Sequence, residues 1–367
     1  MHGSRVYGLD ILRAFAVLFV VYIHGYYTVQ GIVPKYSYML PAVDGVNIFF
    51  VLSGFLIGGI LIKLINSKEN FTFPDLFNFW IRRWFRTLPN YFFILCILLL
   101  IFYFKHNDFP EKAARYFVFL QNFNWPQPTF YSESWSLSVE EWFYLVIPLG
   151  FYGIIKIKNV EKRKLILFWI IAVLVVFTAY RCFKTYYYGF TDINSWALNI
   201  RRCVVTRLDS IMMGVLCAYI YFYHEKFWYR NKNLRCTVGI FLLIYPKIHA
   251  YFFPGDAVFL YYFYLTVVSL GTALILPKLT SIRTGSGIMF KIFTFVSLVS
   301  YSAYLVNLSL VQENIMPLLQ SKIAFMSIKS AYVILFNYAV YWFITFGLAY
   351  LIYRFFEKPV MKLRDKF

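Results

Sequence analysis

The sequence is short of charged residues, and acidic residues are the scarcer kind. Only 14% of its 367 residues are charged, with 17 acidic against 36 basic side chains, while 60% are hydrophobic. Soluble domains are about a quarter charged and less than half apolar, so this composition excludes an ordinary water-soluble domain. The apolar surface exceeds what one packed core buries, and a lipid bilayer is the solvent that accommodates the remainder.

Cysteine is also scarce, and its five copies lack the spacing of a metal or redox motif. Cys96 and Cys217 lie inside apolar runs, where they are predicted to be inert. Cys182 and Cys203 share one predicted loop, and they could pair if that loop faces an oxidising compartment. The sequence therefore predicts neither a metal centre nor a permanently bound cofactor.

Long apolar runs, by contrast, are abundant. About ten are long enough to cross a bilayer, at 7–29, 44–65, 86–105, 138–155, 164–181, 208–223, 236–253, 257–276, 290–310 and 331–355. The first run is too long for the core of a cleavable signal peptide, so it is predicted to be retained. Pro254 and Gly255 allow a tight hairpin between the seventh and eighth runs. The predicted fold is an all-α polytopic transmembrane bundle, one integral-membrane domain over residues 1–367.

Basic residues between the runs indicate the orientation. Loops rich in Lys and Arg stay in the cytoplasm, and their alternation here predicts that both termini are cytoplasmic. The same clustering in short loops explains the net charge of +19 without nucleic-acid binding. The loop over 182–207 is an exception, because it is placed outside yet carries Lys184, Arg201, Arg202 and Arg207. Such a loop indicates either a wrong topology or contact with an anionic group.

The first run, GLDILRAFAVLFVVYIH, contains ionisable side chains that a bilayer disfavours. Arg13 and His24 are three helical turns apart, so they share a face and lie about 16 Å apart along the axis. Asp10 precedes Arg13 by one turn and is predicted to pair with it. Histidine suits proton abstraction from a hydroxyl near neutral pH, which makes His24 a candidate base. The alternatives are that Arg13 reaches the membrane interface and that His24 joins a packing network.

A basic segment and a small-residue face follow. The segment FWIRRWFRTLP places Arg83 and Arg86 one turn apart, a cationic fork suited to phosphate. Ordinary anchoring of a positive loop predicts the same residues. In the second run, Gly54 and Gly58 predict close helix packing, and Ser53 is a candidate hydrogen-bond donor to a ligand.

The segment ESWSLSVEEWFYLVIP contains two adjacent carboxylates near the start of the fourth run. Ser138 and Glu141 fit a capping box, which predicts that a helix begins there. Glu140 is predicted at a depth similar to that of His24, where it would orient the imidazole and stabilise its protonated form.

Further polar residues are predicted on the outer side. Arg207 and Asp209 form either a structural ion pair or a contact to a polar acceptor, and Tyr304 lies one turn from Asn307. Glu357 and Pro359 are predicted to end the last span. The candidates for contact with an acceptor are Trp135, Ser136, Glu141, Arg207, Asp209, Tyr304 and Asn307.

Taken together, these motifs resemble the acyltransferase-3 family of bacterial membrane acyltransferases. The resemblance is carried by the Arg-x10-His pattern of the first run, GVNIFFVLSGFLI, Arg83-x-x-Arg86, WSLSVEEWFYLVIP, RLD at 207–209, SYSAYLVN at 300–307 and FEKP at 356–359. It extends from residue 8 to about 360. It implies a protein of the bacterial inner membrane with about ten spans. It also implies transfer of an acyl group, usually acetyl, from cytoplasmic acyl-CoA to a hydroxyl of a cell-envelope glycan.

The resemblance also implies roles for particular residues. Arg13 and His24 match the family's essential pair, Arg83 and Arg86 match its acyl-CoA-associated arginines, and Glu140 matches the glutamate of its WSL motif. The mechanism this predicts is that acyl-CoA phosphates bind the arginines while His24 activates the acceptor hydroxyl.

The sequence departs from the family pattern at two positions. Asn47 stands where an aspartate is common, and Asn307 stands where a histidine is common. No fused extracytoplasmic domain is expected after the last span. The membrane domain would then complete the transfer itself or pass the acyl group to a separate extracytoplasmic protein.

Two other classes of function fit the same composition. A transporter or flippase for a polar or lipid-linked substrate also places ionisable residues in a bundle interior. A non-catalytic membrane partner or sensor would tolerate the loss of His24. Release of CoA from a thioester separates an acyltransferase from both.

Overall fold

The computed structural model describes residues 5–29, 32, 43–67, 71–157 and 160–363, and within these ranges all regular secondary structure is helical. Ten helices are long: α1 (Tyr7–Val29), α2 (Gly45–Ser67), α3 (Phe73–His106), α4 (Trp135–Ile155), α5 (Lys162–Tyr188), α6 (Leu208–Tyr223), α7 (Lys232–Phe252), α8 (Tyr264–Thr280), α9 (Gly287–Val306) and α10 (Ala331–Ile352). Short α, 3-10 and π segments connect or extend them, at Ala114–Phe117, Ser132–Ser134, Ile193–Trp196, Ala197–Arg201, Glu225–Tyr229, Phe259–Phe263, Asn307–Ile315, Met316–Lys322, Ala324–Ser327, Tyr353–Glu357 and Lys358–Leu363.

Seven of these helical stretches in the described ranges are long and apolar enough to cross a membrane. They are Tyr7–Val29, Gly45–Ser67, Phe73–His106, Lys162–Tyr188, Phe259–Thr280, Gly287–Lys322 and Ala331–Leu363. The remaining predicted runs also form helices, but α6 has 16 residues, and α4 and α7, with 21 residues each, are less apolar. The prediction of a helical, multi-pass membrane protein is therefore confirmed.

Helices α2 and α6 cross at their glycines. A Cβ atom on Gly54 would lie 1.8 Å from the carbonyl oxygen of Ile211, and one on Gly214 would lie 2.0 Å from that of Val51. Any side chain larger than hydrogen would push the two backbones apart. The close packing predicted at Gly54 is confirmed, and it fixes the position of α2, which lines the site described below.

Replacing Gly54 by alanine should therefore destabilise the protein. Overpacking a tight contact costs about 1–3 kcal/mol, so we expect a lower melting temperature and a lower yield of monodisperse protein in detergent. Gly153→Ala on α4 is the matched control, because a Cβ atom there meets nothing within 4 Å. Equal melting temperatures for the two variants would contradict the packing described.

The stretches over 106–137 and 182–207 pack against each other. The Asn122 amide donates to the backbone carbonyls of Trp135 (3.0 Å) and Arg202 (2.5 Å), which joins the two stretches beside the site. Cys182 and Cys203 are free thiols, so the disulfide that the sequence allowed is not formed.

Two predicted helix ends are wrong. Helix α4 begins at Trp135, because the 3-10 turn Ser132–Ser134 leads directly into it. Ser138 therefore lies inside the helix, where its hydroxyl donates to the carbonyl of Ser134 (3.5 Å) instead of forming a capping box with Glu141.

At the other end of the chain, helical structure continues past Glu357 and Pro359 to Leu363. Proline occupies the second position of the closing segment Lys358–Leu363, where a missing backbone N–H is tolerated.

Candidate active site

A cavity of about 150 Å³ lies among α1, α2, α3, α4 and α9, and we call it the arginine cavity. Arg13, Arg83 and Arg86 line it together with Ser53 and Glu140. These five side chains come from four separate helices, so the fold brings together every residue predicted to contact acyl-CoA. Three guanidinium groups facing one space suit the phosphates of a nucleotide-derived donor.

Asp10 holds Arg13 at this cavity. Its Oδ1 lies 3.7 Å from Arg13 Nη1, which confirms the predicted pairing. The same buried carboxylate forms an ion pair with Arg5 and accepts a hydrogen bond from Ser297 Oγ (2.9 Å). Asp10 is therefore part of the support of the arginine cavity and does not line it.

Glu140 lies in the arginine cavity. Its carboxylate accepts hydrogen bonds from Ser53 Oγ (3.0 Å), Tyr144 Oη (2.9 Å) and Arg83 Nη2 (3.4 Å). Arg83 also donates to Tyr144 Oη (2.6 Å) and stacks on its ring at 4.1 Å. The predicted contact of Glu140 with His24 is therefore not formed, because both carboxylate oxygens face α2 and α3.

A second cavity of about 530 Å³ lies at the C-terminal end of α1, and we call it the histidine cavity. His24 lines it with Asp44, Arg201 and Arg202, and Gln312 and Glu313 complete its polar wall. The predicted separation of Arg13 and His24 along α1 thus places them in different cavities.

Asn307 fixes the proton on the His24 ring. Its amide Nδ2 donates to the carbonyls of Ala303 (3.1 Å) and Tyr304 (2.7 Å), which turns its Oδ1 toward His24 Nδ1 at 2.5 Å. An amide oxygen can only accept, so Nδ1 carries the proton in the neutral ring. The lone pair then belongs to Nε2, the nitrogen that a general base uses.

The backbone around Asn307 is unusual. It begins the π-helical segment Asn307–Ile315, and π-helical turns often accompany functional sites. Ser309 donates from its backbone N–H (3.0 Å) and hydroxyl (2.5 Å) to the buried carboxyl group of Glu133. Burial raises the pKa of Glu133 to about 8, although the hydrogen bonds from Ser309 act to lower it. Glu133 is the first residue of the segment ESWSLSVEEWFYLVIP, but the sequence indicates no role for it, because its partner Ser309 lies more than a hundred residues away.

Asp44 neutralises Arg201. The carboxylate accepts from Arg201 Nε (3.2 Å) and Nη2 (3.1 Å) and caps α2 through the backbone N–H of Asn47 (3.1 Å). Burial alone would raise the pKa of Asp44, but the cations of Arg201 and Arg207 hold it below its ordinary value. Arg202 Nε, in contrast, has no hydrogen-bond partner within the described part of the chain.

The remaining basic residues of the 182–207 stretch are structural. Arg207 is fully buried and donates to Asn47 Oδ1 (2.7 Å), while Lys184 Nζ donates to Asn124 Oδ1 (2.9 Å). Asp209 forms an ion pair with Arg181 at 2.9 Å. Of the two alternatives for Arg207 and Asp209, a mutual ion pair is thus not formed, and neither residue lines the arginine cavity or the histidine cavity.

The other acceptor-side candidates fall into two groups. Ser136 Oγ and Tyr304 Oη are hydrogen-bonded at 2.6 Å and both line the arginine cavity. Trp135 is buried, and the guanidinium carbon of Arg201 lies 5.5 Å from the centre of its ring. Glu141 is buried and accepts from Thr87 Oγ1 (2.9 Å), outside both cavity linings.

Sequence reasoning missed several lining residues, among them Glu357 and Val46. Glu357 was assigned to a helix stop, yet it lines the arginine cavity and accepts from Ser302 Oγ (2.7 Å) and Asn90 Nδ2 (2.8 Å). Val46 belongs to the linings of both cavities. An acidic residue just after the last apolar run was the available signal for Glu357, whereas a valine inside an apolar run gives none.

Seven candidate spans, with two polar cavities lying among the helices, define a multi-pass membrane protein. The family model described as an acyltransferase domain matches residues 6–354. The chain therefore belongs to the acyltransferase-3 family, which confirms the resemblance seen in its motifs.

Individual relatives agree with this assignment. The chain is 28% identical over 311 residues to the protein YrhL of Bacillus subtilis, covering 70% of this chain and 45% of that protein. It is 30% identical over 183 residues to the peptidoglycan O-acetyltransferase OatA of Listeria monocytogenes, covering 45% of this chain and 27% of the relative. It is 31% identical over 156 residues to the O-acetyltransferase OatA of Staphylococcus aureus, covering 39% of this chain and 24% of the relative. The chain thus spans less than half the length of these curated relatives. No solved structure matches it.

Proposed function

We propose that this chain transfers an acyl group, acetyl in the first place, from acyl-CoA to a hydroxyl of a cell-envelope glycan. The observation that carries the proposal is that α1 contributes Arg13 to one cavity and His24 to the other, and that Val46 lines both. One cavity holds three arginines, and the other holds a histidine whose Nε2 is left as the basic nitrogen. The names of the Listeria and Staphylococcus relatives support acetyl as the group and peptidoglycan as one candidate acceptor.

The donor half of the reaction belongs to the arginine cavity. Arg13, Arg83 and Arg86 bind the CoA phosphates, since guanidinium groups form paired hydrogen bonds to phosphate oxygens. The pantetheine arm then extends along α1, and the distance of about 16 Å from Arg13 to His24 suits its length. Ser53 lies along this path, where its hydroxyl already contacts Glu140.

The acceptor half belongs to the histidine cavity. His24 Nε2 takes the proton of the acceptor hydroxyl as its oxygen attacks the thioester carbonyl, and the CoA thiolate leaves. Asn307 Oδ1 holds the Nδ1 proton throughout and stabilises the imidazolium ion that forms. The direct transfer needs no metal and no permanently bound cofactor.

The proposed membrane arrangement follows from this division. We infer ten crossings, with α4, α6 and α7 completing the seven candidate spans, and both termini in the cytoplasm of a bacterial cell. The arginine cavity then faces the acyl-CoA pool, and the histidine cavity faces the envelope. Reporter fusions at each terminus test this, because an extracytoplasmic signal from either one would contradict it.

Release of CoA tests the activity itself. Purified protein in detergent should release free CoA from acetyl-CoA when an envelope glycan fraction is added, and mass spectrometry should find the glycan acetylated. A transporter or flippase would bind substrate without consuming the thioester. Folded protein that leaves every thioester intact would contradict the proposal.

Asn307 is expected to act as a positioning residue. Leucine at this position removes the acceptor for the Nδ1 proton, so we expect Asn307→Leu to lower kcat by about 10- to 100-fold. This loss is part of the rate enhancement that a well-placed general base provides. KM for acetyl-CoA should stay unchanged, because the arginine cavity is untouched.

The control variant is Asn307→His. A second imidazole can accept the Nδ1 proton of His24, so most of the activity should return. A purely structural role for Asn307 would instead lower the melting temperature in step with activity, and it would leave the histidine variant as inactive as the leucine one.

A further inference from the structure

The junction between the two cavities is formed around one side chain. Val46 is the residue that, within the described part of the chain, appears in both linings. It is the second residue of α2, and its neighbours Phe49 and Phe50 line the arginine cavity, while Gly45 lines the histidine cavity. Under the proposed function, on which this inference rests, the acyl group must be near Val46 when the acceptor attacks.

The backbone at Val46 is held in place. A Cβ atom on the preceding Gly45 would lie 2.2 Å from the carbonyl oxygen of Ala16, so the start of α2 rests directly on the backbone of α1. The crossing at Gly54 fixes the same helix two turns later. The side chain of Val46 is itself buried, with 7% of the residue exposed. The junction therefore cannot widen by a shift of α2.

The aromatic rings close to Val46 are also held in place. Tyr304 packs edge-on against Phe49 at 6.3 Å, and its hydroxyl is hydrogen-bonded to Ser136 and to the carbonyl of Glu133 (2.9 Å). Phe50 packs edge-on against the buried Trp135 at 5.7 Å. Aromatic rings packed in this way have few alternative rotamers, so the space left at the junction is set by side-chain size.

We propose that Val46 sets the upper length of the acyl group and makes this chain selective for short acyl thioesters. The thioester carbonyl lies at the junction, and the acyl tail projects toward the Val46 methyl groups. An acetyl group ends there. Each further methylene meets the valine and the rings around it, and one misfitting methylene changes kcat/KM by about 10- to 200-fold.

The test compares acetyl-, propionyl- and butyryl-CoA with purified full-length protein, with CoA release as the readout. For the unaltered protein, kcat/KM should fall by about 10- to 200-fold from acetyl- to butyryl-CoA. Val46→Ala should reduce that ratio by at least about tenfold through faster butyryl transfer. Val46→Phe should abolish acetyl transfer while CoA still raises the melting temperature, which shows that the protein is folded and binds the donor.

Val51→Ala is the matched control. Val51 is buried on the same helix but outside both cavity linings, so its removal should leave the acetyl-to-butyryl ratio unchanged. An unchanged ratio in Val46→Ala, or retained acetyl transfer in Val46→Phe, would overturn the inference while the proposed function stands. No CoA release by the unaltered protein with any thioester would overturn the proposed function, and this inference with it.

Discussion

Replacement of His24 by alanine is expected to lower acyl transfer by about 100- to 10,000-fold, the range that a general base contributes. The imidazole Nε2 is the basic nitrogen of the histidine cavity in this account, because Asn307 holds the proton on Nδ1. Binding of acetyl-CoA should be unchanged, since the arginine cavity does not include His24. CoA release and glycan acetylation, measured with equal amounts of purified protein, check both expectations.

His106→Ala is the matched control for this experiment. That histidine lies exposed at the end of α3, where it contacts the carbonyl of Phe102 in its own helix. The control should retain full activity and the same melting temperature. Normal acetylation by His24→Ala would eliminate the proposed base.

Replacement of Arg86 by alanine is expected to raise KM for acetyl-CoA by about 10- to 150-fold, the effect of losing one charge-assisted hydrogen bond of about 1.5–3 kcal/mol. The rate at saturating donor should change much less, because the proposed mechanism places Arg86 at the CoA phosphates and not at the reacting carbonyl. Arg83 is a poorer test, because it is bound to Glu140 and Tyr144 and its removal would leave the partly buried carboxylate of Glu140 without its ion pair.

Arg82→Ala is the control for the arginine prediction. Arg82 adjoins the fork in sequence, and it is exposed and outside both cavity linings. A uniform rise of KM in both variants would indicate a general loss of positive charge. A selective rise in Arg86→Ala is what binding in the arginine cavity predicts.

Helical periodicity explains why the backbone of the site could be predicted. Arg13 and His24 share a face and lie at different depths because three turns of helix fix both relations. Apolar runs likewise identify the helices, since a bilayer leaves no other way to satisfy their backbone groups. The runs at α4, α6 and α7 were recognised as well, although they are shorter or less apolar than the seven candidate spans.

Side-chain partners were much harder to predict, for a geometric reason. Similar depth suggested that Glu140 contacts His24, but depth does not fix the direction in which a helix turns its side chains. Arg207 and Asp209 are close in sequence, yet residues two apart on a helix face different neighbours, and each contacts another residue.

Asn307 illustrates what sequence comparison alone obscures. Its identity departs from the family pattern, in which a histidine is common at this position. In the structure its amide is the hydrogen-bond partner of His24, a role for which asparagine is chemically adequate. The departure therefore leaves the His24 imidazole with a hydrogen-bond partner at this position.

Transfer across a sealed membrane tests the central claim most directly. The protein is reconstituted into vesicles with acetyl-CoA, carrying a labelled acetyl group, only on the side of its N-terminus and an envelope glycan only on the other side. We predict labelled ester on the glycan in an amount equal to the CoA released, and none with His24→Ala. Label that appears only when both substrates share one side, or that persists in His24→Ala, would contradict the account.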